Sequence, residues 1–176
     1  MTKERRYGFS WDLIGDVAQG RPNLGNTTRV ELYRLMEYTF RDRMEMALGT
    51  EKTDELFYEA GRLAGSMFAV HMLKPDEGLN GYIRQIQTIF RDLKIGILRV
   101  EETSGDGSRI VVTVGEDLDC SGLPDHGEEI CVYDEGFLCG MLEYITGDNW
   151  RVEETDCWCT GDRVCRFEAH RVSGHE

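Results

Sequence analysis

Cysteine is the residue type with the clearest capacity for chemistry in this sequence, and it is unevenly distributed. The first 119 of the 176 residues contain none, whereas the nine residues CWCTGDRVC contain three. The six cysteines are Cys120, Cys131, Cys139, Cys157, Cys159 and Cys165. Clustered thiols can form disulfides, bind a metal ion or act as reactive thiolates, and free cysteine is also a frequent core residue. The elements that carry the cysteines decide between these chemistries.

Two of the cysteines are predicted to face each other across a hairpin. A turn at Gly161 pairs Cys157 with Cys165 on neighbouring strands. Opposed side chains in such a pair have Cβ atoms roughly 4.5–5.5 Å apart, so both thiolates could reach one zinc ion through Zn–S bonds of about 2.3 Å. The same geometry accommodates a disulfide. A reducing compartment favours the metal.

A zinc ion needs about four ligands, so this pair leaves two places open. Cys131 is predicted to open a helix, where unpaired backbone N–H groups favour a thiolate. The candidates for the last place are Glu153, Glu154, Asp156, Cys159, Cys120 and the four histidines. Strand alternation favours Glu153 or Cys159, because these would share a face with Cys157. Glu154 would require a bulge in the strand, and residue spacing leaves the fourth ligand open.

The elements before the cysteines are predicted to be helical. Apolar residues at helical spacing predict helices over residues 28–49, 53–74 and 80–96. Gly61 and Gly65 weaken the second helix by roughly 1 kcal/mol each relative to alanine, which close approach of another helix would explain. The first helix carries an apolar stripe whose spacing is that of a packed core. That stripe consists of Leu32, Leu35, Met36, Phe40 and Met44.

The C-terminal half changes to a period of two. A hairpin is predicted over residues 96–118 around the turn SGDG, followed by a fourth helix over 130–147 and a second hairpin over 149–172. This order predicts an α+β fold in which an antiparallel sheet packs against about four helices. We expect a single domain over residues 1–176, with a mainly helical half (1–96) and a hairpin-helix-hairpin half (97–176) that carries the thiol site.

Composition excludes several classes of partner. The formal charge of −13 and the pI near 4.7 argue against nucleic acid and anionic membrane surfaces. The start of the sequence lacks the apolar segment of a signal peptide, and the apolar runs are too short to span a bilayer. A cytoplasmic location is therefore predicted. Met67 and His71 share an apolar helix face and are candidates for contact with a small ligand, although a buried histidine or a helix C-terminal cation is the more common role.

The sequence resembles the four-vinyl reductase domain family along nearly its whole length. The matching segments are WDLIGD, GRPNLG, YRLMEYTFRD, AGRLAG, DLDCSGLP and CVYDEGFLCGMLE, followed by the spaced residues Glu154, Cys157, Gly161, Cys165 and Phe167. This domain type is similar to the sensory domains of aromatic-responsive transcription activators and to the subunit fold of vesicle-tethering transport particles. The resemblance therefore implies a transport-particle-subunit-like ligand-binding fold.

The resemblance also implies a ligand set and a function. It places Zn²⁺ on Cys131, Glu154, Cys157 and Cys165, and thereby predicts an irregular backbone between Glu154 and Cys157. A closed shell of this kind leaves no position for activated water, so the zinc would be structural. The function implied is a sensor-type domain for a small hydrophobic or aromatic molecule, forming a homodimer through its N-terminal helices and passing a signal to a downstream protein.

Three other interpretations remain open. The family name suggests an enzyme of tetrapyrrole metabolism that reduces a vinyl group, but the sequence contains no dinucleotide-binding fingerprint to supply a hydride. A haem or redox sensor could use Cys120, which is a candidate for a redox thiol or an alternative metal ligand. An assembly subunit is the third possibility, although transport-particle subunits lack this cysteine set. Catalysis is the less favoured alternative.

Overall fold

The computed structural model describes residues 7–75 and 78–172, and within these ranges the chain forms five α-helices and four β-strands. The helices are α1 (Val17–Gly20), α2 (Val30–Leu48), α3 (Thr50–Met72), α4 (Leu79–Asp92) and α5 (Val132–Thr146). The strands are β1 (Ile97–Thr103), β2 (Arg109–Gly115), β3 (Asn149–Asp156) and β4 (Cys165–Val172). They form one antiparallel sheet in the order β1-β2-β4-β3. The predicted α+β fold, with two hairpins and the connecting helix, is confirmed.

The chain divides into two compact units, Met1–Tyr38 and Thr39–Glu176. In its described part, the first unit contains a 3-10 turn at Trp11–Ile14, helix α1 and the beginning of α2. The sequence had predicted irregular backbone before about residue 25. The second unit contains the remaining helices and the whole sheet, and every cysteine lies in it. The expectation of one domain over residues 1–176 stays a prediction.

The apolar stripe of α2 does not lie in a core within this chain. Leu32, Leu35 and Met36 are exposed, Phe40 is 66% exposed, and Met46 near the helix end is 72% exposed. The prediction that this stripe packs in the chain's own core is therefore wrong. Helical spacing establishes that a helix has an apolar face, but it does not specify what covers that face.

Helices α3 and α5 pack backbone to backbone through glycines. A Cβ atom placed on Gly65 would lie 2.8 Å from the Phe137 carbonyl carbon, and closer still to its oxygen. Gly140 on α5 faces Arg62 in the same way, where a Cβ atom would lie 2.9 Å from the carbonyl carbon. Gly61 and Gly136 make equivalent contacts. The predicted close approach at Gly61 and Gly65 is confirmed, and it fixes the position of α5, the helix that begins next to the thiol site.

The other face of α5 packs on the sheet, with α4 alongside. Buried residues from the sheet, α4 and α5 form one apolar core that also contains all six cysteines. The outer end of the first hairpin is held by Asp106, whose Oδ1 accepts hydrogen bonds from the Ser108 N–H and from the hydroxyls of Ser104 and Ser108. Within the described ranges, no helix combines the length and the apolar character that a bilayer crossing requires.

Candidate metal centre

Four cysteines from four separate segments meet at one end of the sheet. Cys131 is the N-cap of α5, and Cys157 is the N-cap of a 3-10 turn at Trp158–Thr160. Cys165 is the first residue of β4, and Cys120 lies in the turn that follows β2. All four are buried, with 1% or less of their surface exposed. The site therefore joins the helix α5 to both hairpins.

The four sulfur atoms have the spacing of a metal-binding cluster. The Cys131 Sγ lies 3.9 Å from both Cys157 Sγ and Cys165 Sγ, and Cys120 Sγ lies 3.0 Å from Cys165 Sγ. All four sulfurs lie within 4.8 Å of one another. In a tetrahedral site with Zn–S bonds of about 2.3 Å, the sulfurs lie about 3.8 Å apart. The cluster thus fits one tetrahedral thiophilic ion with small side-chain adjustments.

Local hydrogen bonds fix the loops that carry these cysteines. The Asp117 carboxylate accepts hydrogen bonds from the N–H groups of Asp119 and Cys120, at 2.9 and 3.1 Å, and so closes the turn after β2. The Cys157 N–H donates to Thr160 Oγ1 at 3.0 Å, and the Cys159 N–H donates to Cys157 Sγ at 3.5 Å. Both loops therefore hold their sulfurs in place before any ion binds.

Glu154 lies beside the cluster at an irregular point of β3. The register between β3 and β4 shifts between Glu154 and Asp156, which confirms the predicted irregular backbone between Glu154 and Cys157. Its Oε2 accepts a hydrogen bond from the Cys131 N–H at 3.0 Å, and its own N–H donates to Glu135 Oε1 at 2.6 Å. Its role as a metal ligand stays a prediction, because the four mutually close donors are all sulfurs.

The electrostatics of the cluster are those of a site that stabilises a thiolate. Hydrogen bonds from Cys120, Cys131 and Cys165 lower the pKa of Cys157, whereas hydrogen bonding to the neighbouring thiols raises the pKa of Cys131. Burial, and then the charge of Cys157, raises the pKa of Glu154 to about 8. Negative charge in this site is thus costly, and a bound cation is the natural way to offset it.

The other predicted residues lie apart from the cluster. Cys139 is buried in α5 and its thiol donates to the Trp150 carbonyl at 3.1 Å, which confirms the core role expected for it. Cys159 is buried, and its carbonyl accepts hydrogen bonds from the N–H groups of His126 and Gly127 at 2.9 Å. His71 is exposed near the end of α3 and Met67 is partly buried, so their predicted ligand contact stays a prediction. His175 lies outside the described residues.

The place of Cys120 in the cluster is what sequence reasoning left undecided. It was one of several candidates for the fourth position, and strand alternation carries no information about a loop that folds back from β2. The available signal was the sequence DLDC, in which Asp117 has the spacing of a residue that caps a tight turn with its side chain. Such a turn directs Cys120 inwards.

Fold and site together define a class: an α+β domain with a buried cluster of four thiols that could hold a metal ion. Residues 110–171 match the family model of the vinyl-4-reductase domain. The predicted resemblance to the four-vinyl reductase domain family is therefore confirmed, and the matched segment contains all four clustered cysteines.

Two curated relatives are uncharacterized proteins from Methanocaldococcus jannaschii. The chain is 32% identical to MJ1642 over 89 residues, which is 51% of this chain and 53% of that protein. It is 24% identical to MJ0150 over 114 residues, which is 65% of this chain and 62% of that protein. The matches thus span between half and two thirds of the lengths of these relatives.

Three solved structures share the fold. A vinyl-4-reductase family protein from M. jannaschii has a TM-score of 0.62 at 18% identity and covers 95% of this chain and 99% of its own. The phenol-responsive sensory domain of the transcription activator PoxR, with phenol, has a TM-score of 0.60 at 14% identity (76% and 71%). A trafficking protein particle complex subunit 3 from Naegleria fowleri, covalently bound to palmitic acid, has a TM-score of 0.64 at 14% identity (82% and 95%).

Proposed function

We propose that this chain is a sensor-type domain that binds a small hydrophobic or aromatic molecule and is held in shape by a structural zinc ion. The observation that carries the proposal is the position of α5. Its first residue follows Cys131 of the thiol cluster, and four of its side chains line an apolar cavity against the sheet: Leu138, Met141, Leu142 and Ile145. One rigid helix therefore links the metal site to the ligand site.

The donor set supports zinc. Four thiolates select a soft or borderline ion, and tetrahedral sulfur ligation is typical of structural zinc. Cys131, Cys157 and Cys165 belong both to the observed cluster and to the ligand set implied by the family resemblance. When bound, the ion supplies charge compensation and a cross-link between elements distant in sequence. A filled tetrahedral shell has no place for a reacting water, which favours a structural role.

Two residues compete for the fourth place, and we propose Cys120. Its sulfur is within 4.8 Å of the other three, whereas one Glu154 oxygen already accepts the Cys131 N–H. Glu154, the ligand implied by the resemblance, is the alternative, because its Oε1 is buried and has no hydrogen-bond partner among the described residues. With Cys120 as ligand, Glu154 positions Cys131 by accepting its backbone N–H.

The cavity is apolar and small. It lies between α4, α5 and the sheet, encloses about 40 Å³, and is lined only by apolar side chains. An engineered cavity of about 150 Å³ is known to bind benzene, so an aromatic ligand needs more room than the closed cavity offers. Ligand entry would therefore move α4 or rotate side chains such as Leu79 and Ile83, and this displacement is the signal a partner protein could receive.

The relatives of the fold support the choice of ligand class. One of them is described as phenol-responsive and with phenol, and another is covalently bound to palmitic acid. Both molecules present apolar surface that the side chains of this cavity would match. The proposed homodimer is supported by the exposed apolar residues of α2, where Phe40 and Met46 would be covered by a second copy. A cytoplasmic location and a downstream signalling partner complete the proposal.

A binding experiment with a cavity-filling variant tests the ligand site. Phenol and palmitate are titrated into the zinc-loaded chain by ligand-observed NMR, and we expect at least one of them to bind. Ala169→Leu fills the cavity from β4 and should weaken that binding at least tenfold, since an overpacked core costs about 1–3 kcal/mol. Val172→Leu, at an exposed position of the same strand, is the control. Binding that is unchanged by Ala169→Leu, or no binding of either probe, would contradict the proposed site.

A further inference from the structure

A second group of donors adjoins the thiol cluster and shares one of its sulfurs. One carboxylate oxygen from Asp117, the sulfur of Cys131 and one carboxylate oxygen from Asp134 lie within 4.8 Å of one another. Asp117 is only 3% exposed, and its Oδ1 is fixed by the N–H groups of Asp119 and Cys120. Asp134 lies in the first turn of α5, three residues after Cys131. Two separate elements thus direct carboxylates towards the same sulfur.

Asp134 gives the independent indication of a bound cation. Its Oδ2 atom is buried and has no hydrogen-bond partner among the described residues. Burial, followed by the charges of Asp119, Asp117, Cys165 and Glu154, raises the pKa of Asp134 well above its ordinary value. Every charged group in that set is acidic, so none of them can neutralise Asp134. A buried carboxylate in such surroundings requires either a proton or a cation.

We propose that Asp117, Cys131 and Asp134 bind a second divalent cation beside the thiol-bound ion, with the Cys131 sulfur bridging the two. Donors around one tetrahedral ion with bonds of about 2.0–2.3 Å lie about 3.3–3.8 Å apart, which donors already within 4.8 Å can reach by small side-chain rotations. Two carboxylate oxygens and a thiolate suit Zn²⁺ or Cd²⁺, since Mg²⁺ and Ca²⁺ require oxygen ligands. The ion offsets the acidic surroundings that the first ion leaves uncompensated.

The second ion binds more weakly than the first. It has three protein ligands instead of four, and it shares a thiolate whose charge is already partly neutralised. Its site also depends on the proposed thiol-bound ion, because Cys131 belongs to both. The test must therefore distinguish loss of the second ion from loss of both.

Metal stoichiometry measured by native mass spectrometry during a Zn²⁺ titration makes this distinction. We expect two ions per chain in the wild type and one in Asp134→Asn, an isosteric change that keeps a neutral polar group in the first turn. Asp42→Asn, at an exposed position of α2, is the control and should keep two. One ion in both the wild type and Asp134→Asn overturns the second site and leaves the first standing. No bound ion in the wild type overturns both.

Cd²⁺ absorbance gives a second readout that does not depend on how well the variant folds. The first equivalent of Cd²⁺ should produce an intense thiolate charge-transfer band, because four sulfurs bind it. The second should add little absorbance, because its only sulfur is the shared one. Equal increments for the two equivalents would overturn the shared-thiolate arrangement. Asp117→Asn should remove the second step in the same way as Asp134→Asn, and its retention in both variants would also overturn the proposal.

Discussion

Replacing Gly65 by alanine should separate α3 from α5 and lower the stability of the domain. The added Cβ atom would lie 2.8 Å from the Phe137 carbonyl carbon, whereas two carbon atoms pack at about 3.5 Å or more. The helices must therefore move apart by at least about 0.7 Å, a gap that forfeits a quarter to a half of the dispersion energy of the affected contacts. The atoms opposite Gly65 belong to the backbone and cannot rotate away.

The expected loss of stability follows from two opposing effects. Overpacking costs about 1–3 kcal/mol, and a rigid backbone contact places Gly65→Ala near the upper end. Alanine recovers about 1 kcal/mol through its higher helix propensity. The difference is a net loss of about 2 kcal/mol, which for a chain of this size lowers Tm by about 4–8 °C. Circular dichroism during thermal and urea unfolding measures both quantities.

Gly20→Ala is the matched control for this prediction. Gly20 also lies in a helix, but a Cβ atom added there meets nothing within 4 Å. Its Tm should be unchanged or slightly raised, since only the propensity effect remains. A Gly65→Ala variant as stable as the wild type would refute the argument that the α3–α5 contact requires glycine. Because α5 carries Cys131 at its start, we also expect Gly65→Ala to weaken metal binding.

Further predictions concern the thiols and the first hairpin. Cys157→Ser should abolish stoichiometric metal binding in plasma emission analysis, whereas Cys139→Ser should retain it and cost less than about 1.5 kcal/mol, because a serine hydroxyl can also donate to the Trp150 carbonyl. Hydrogen bonds from Ser104 and Ser108 hold the pKa of Asp106 below its ordinary value of 3.8. Its contribution is therefore fully present above pH 3.8 and is lost as the pH falls below that value. In acid unfolding monitored by fluorescence, the stability difference between the wild type and Asp106→Asn should shrink below pH 3.8, and a constant difference would contradict this sign.

Local patterns in the sequence predicted most of the fold. The change in period near residue 97 located both hairpins, because apolar alternation directly reflects which face of a strand is buried. Gly61 and Gly65 predicted a close helix neighbour, since glycine in a helix is costly unless something needs the space. The irregular backbone after Glu154 was predicted because an implied ligand contradicted strand alternation, and the register shift is there.

The features that the sequence left undecided depend on contacts between distant segments. Cys120 joins Cys165 across 45 residues through the closure of a loop, and no periodicity reports that closure. The stripe of α2 shows the same limit from the other side, because its pattern identifies an apolar face at Phe40 without specifying what packs on it. Asp134 was likewise one carboxylate among many until its burial beside Cys131 was known.

X-ray absorption at the zinc edge of the purified chain, carried out at one metal equivalent, tests the account most directly. The account predicts one zinc ion per chain with four sulfur neighbours at about 2.3 Å. It also predicts loss of one sulfur from that shell in Cys120→Ala and an unchanged shell in Glu154→Gln. A shell of three sulfurs and one oxygen that changes in Glu154→Gln would return the fourth place to Glu154. A folded chain without zinc, or zinc bound only by nitrogen and oxygen, would contradict the central claim that the clustered thiols form a structural metal site.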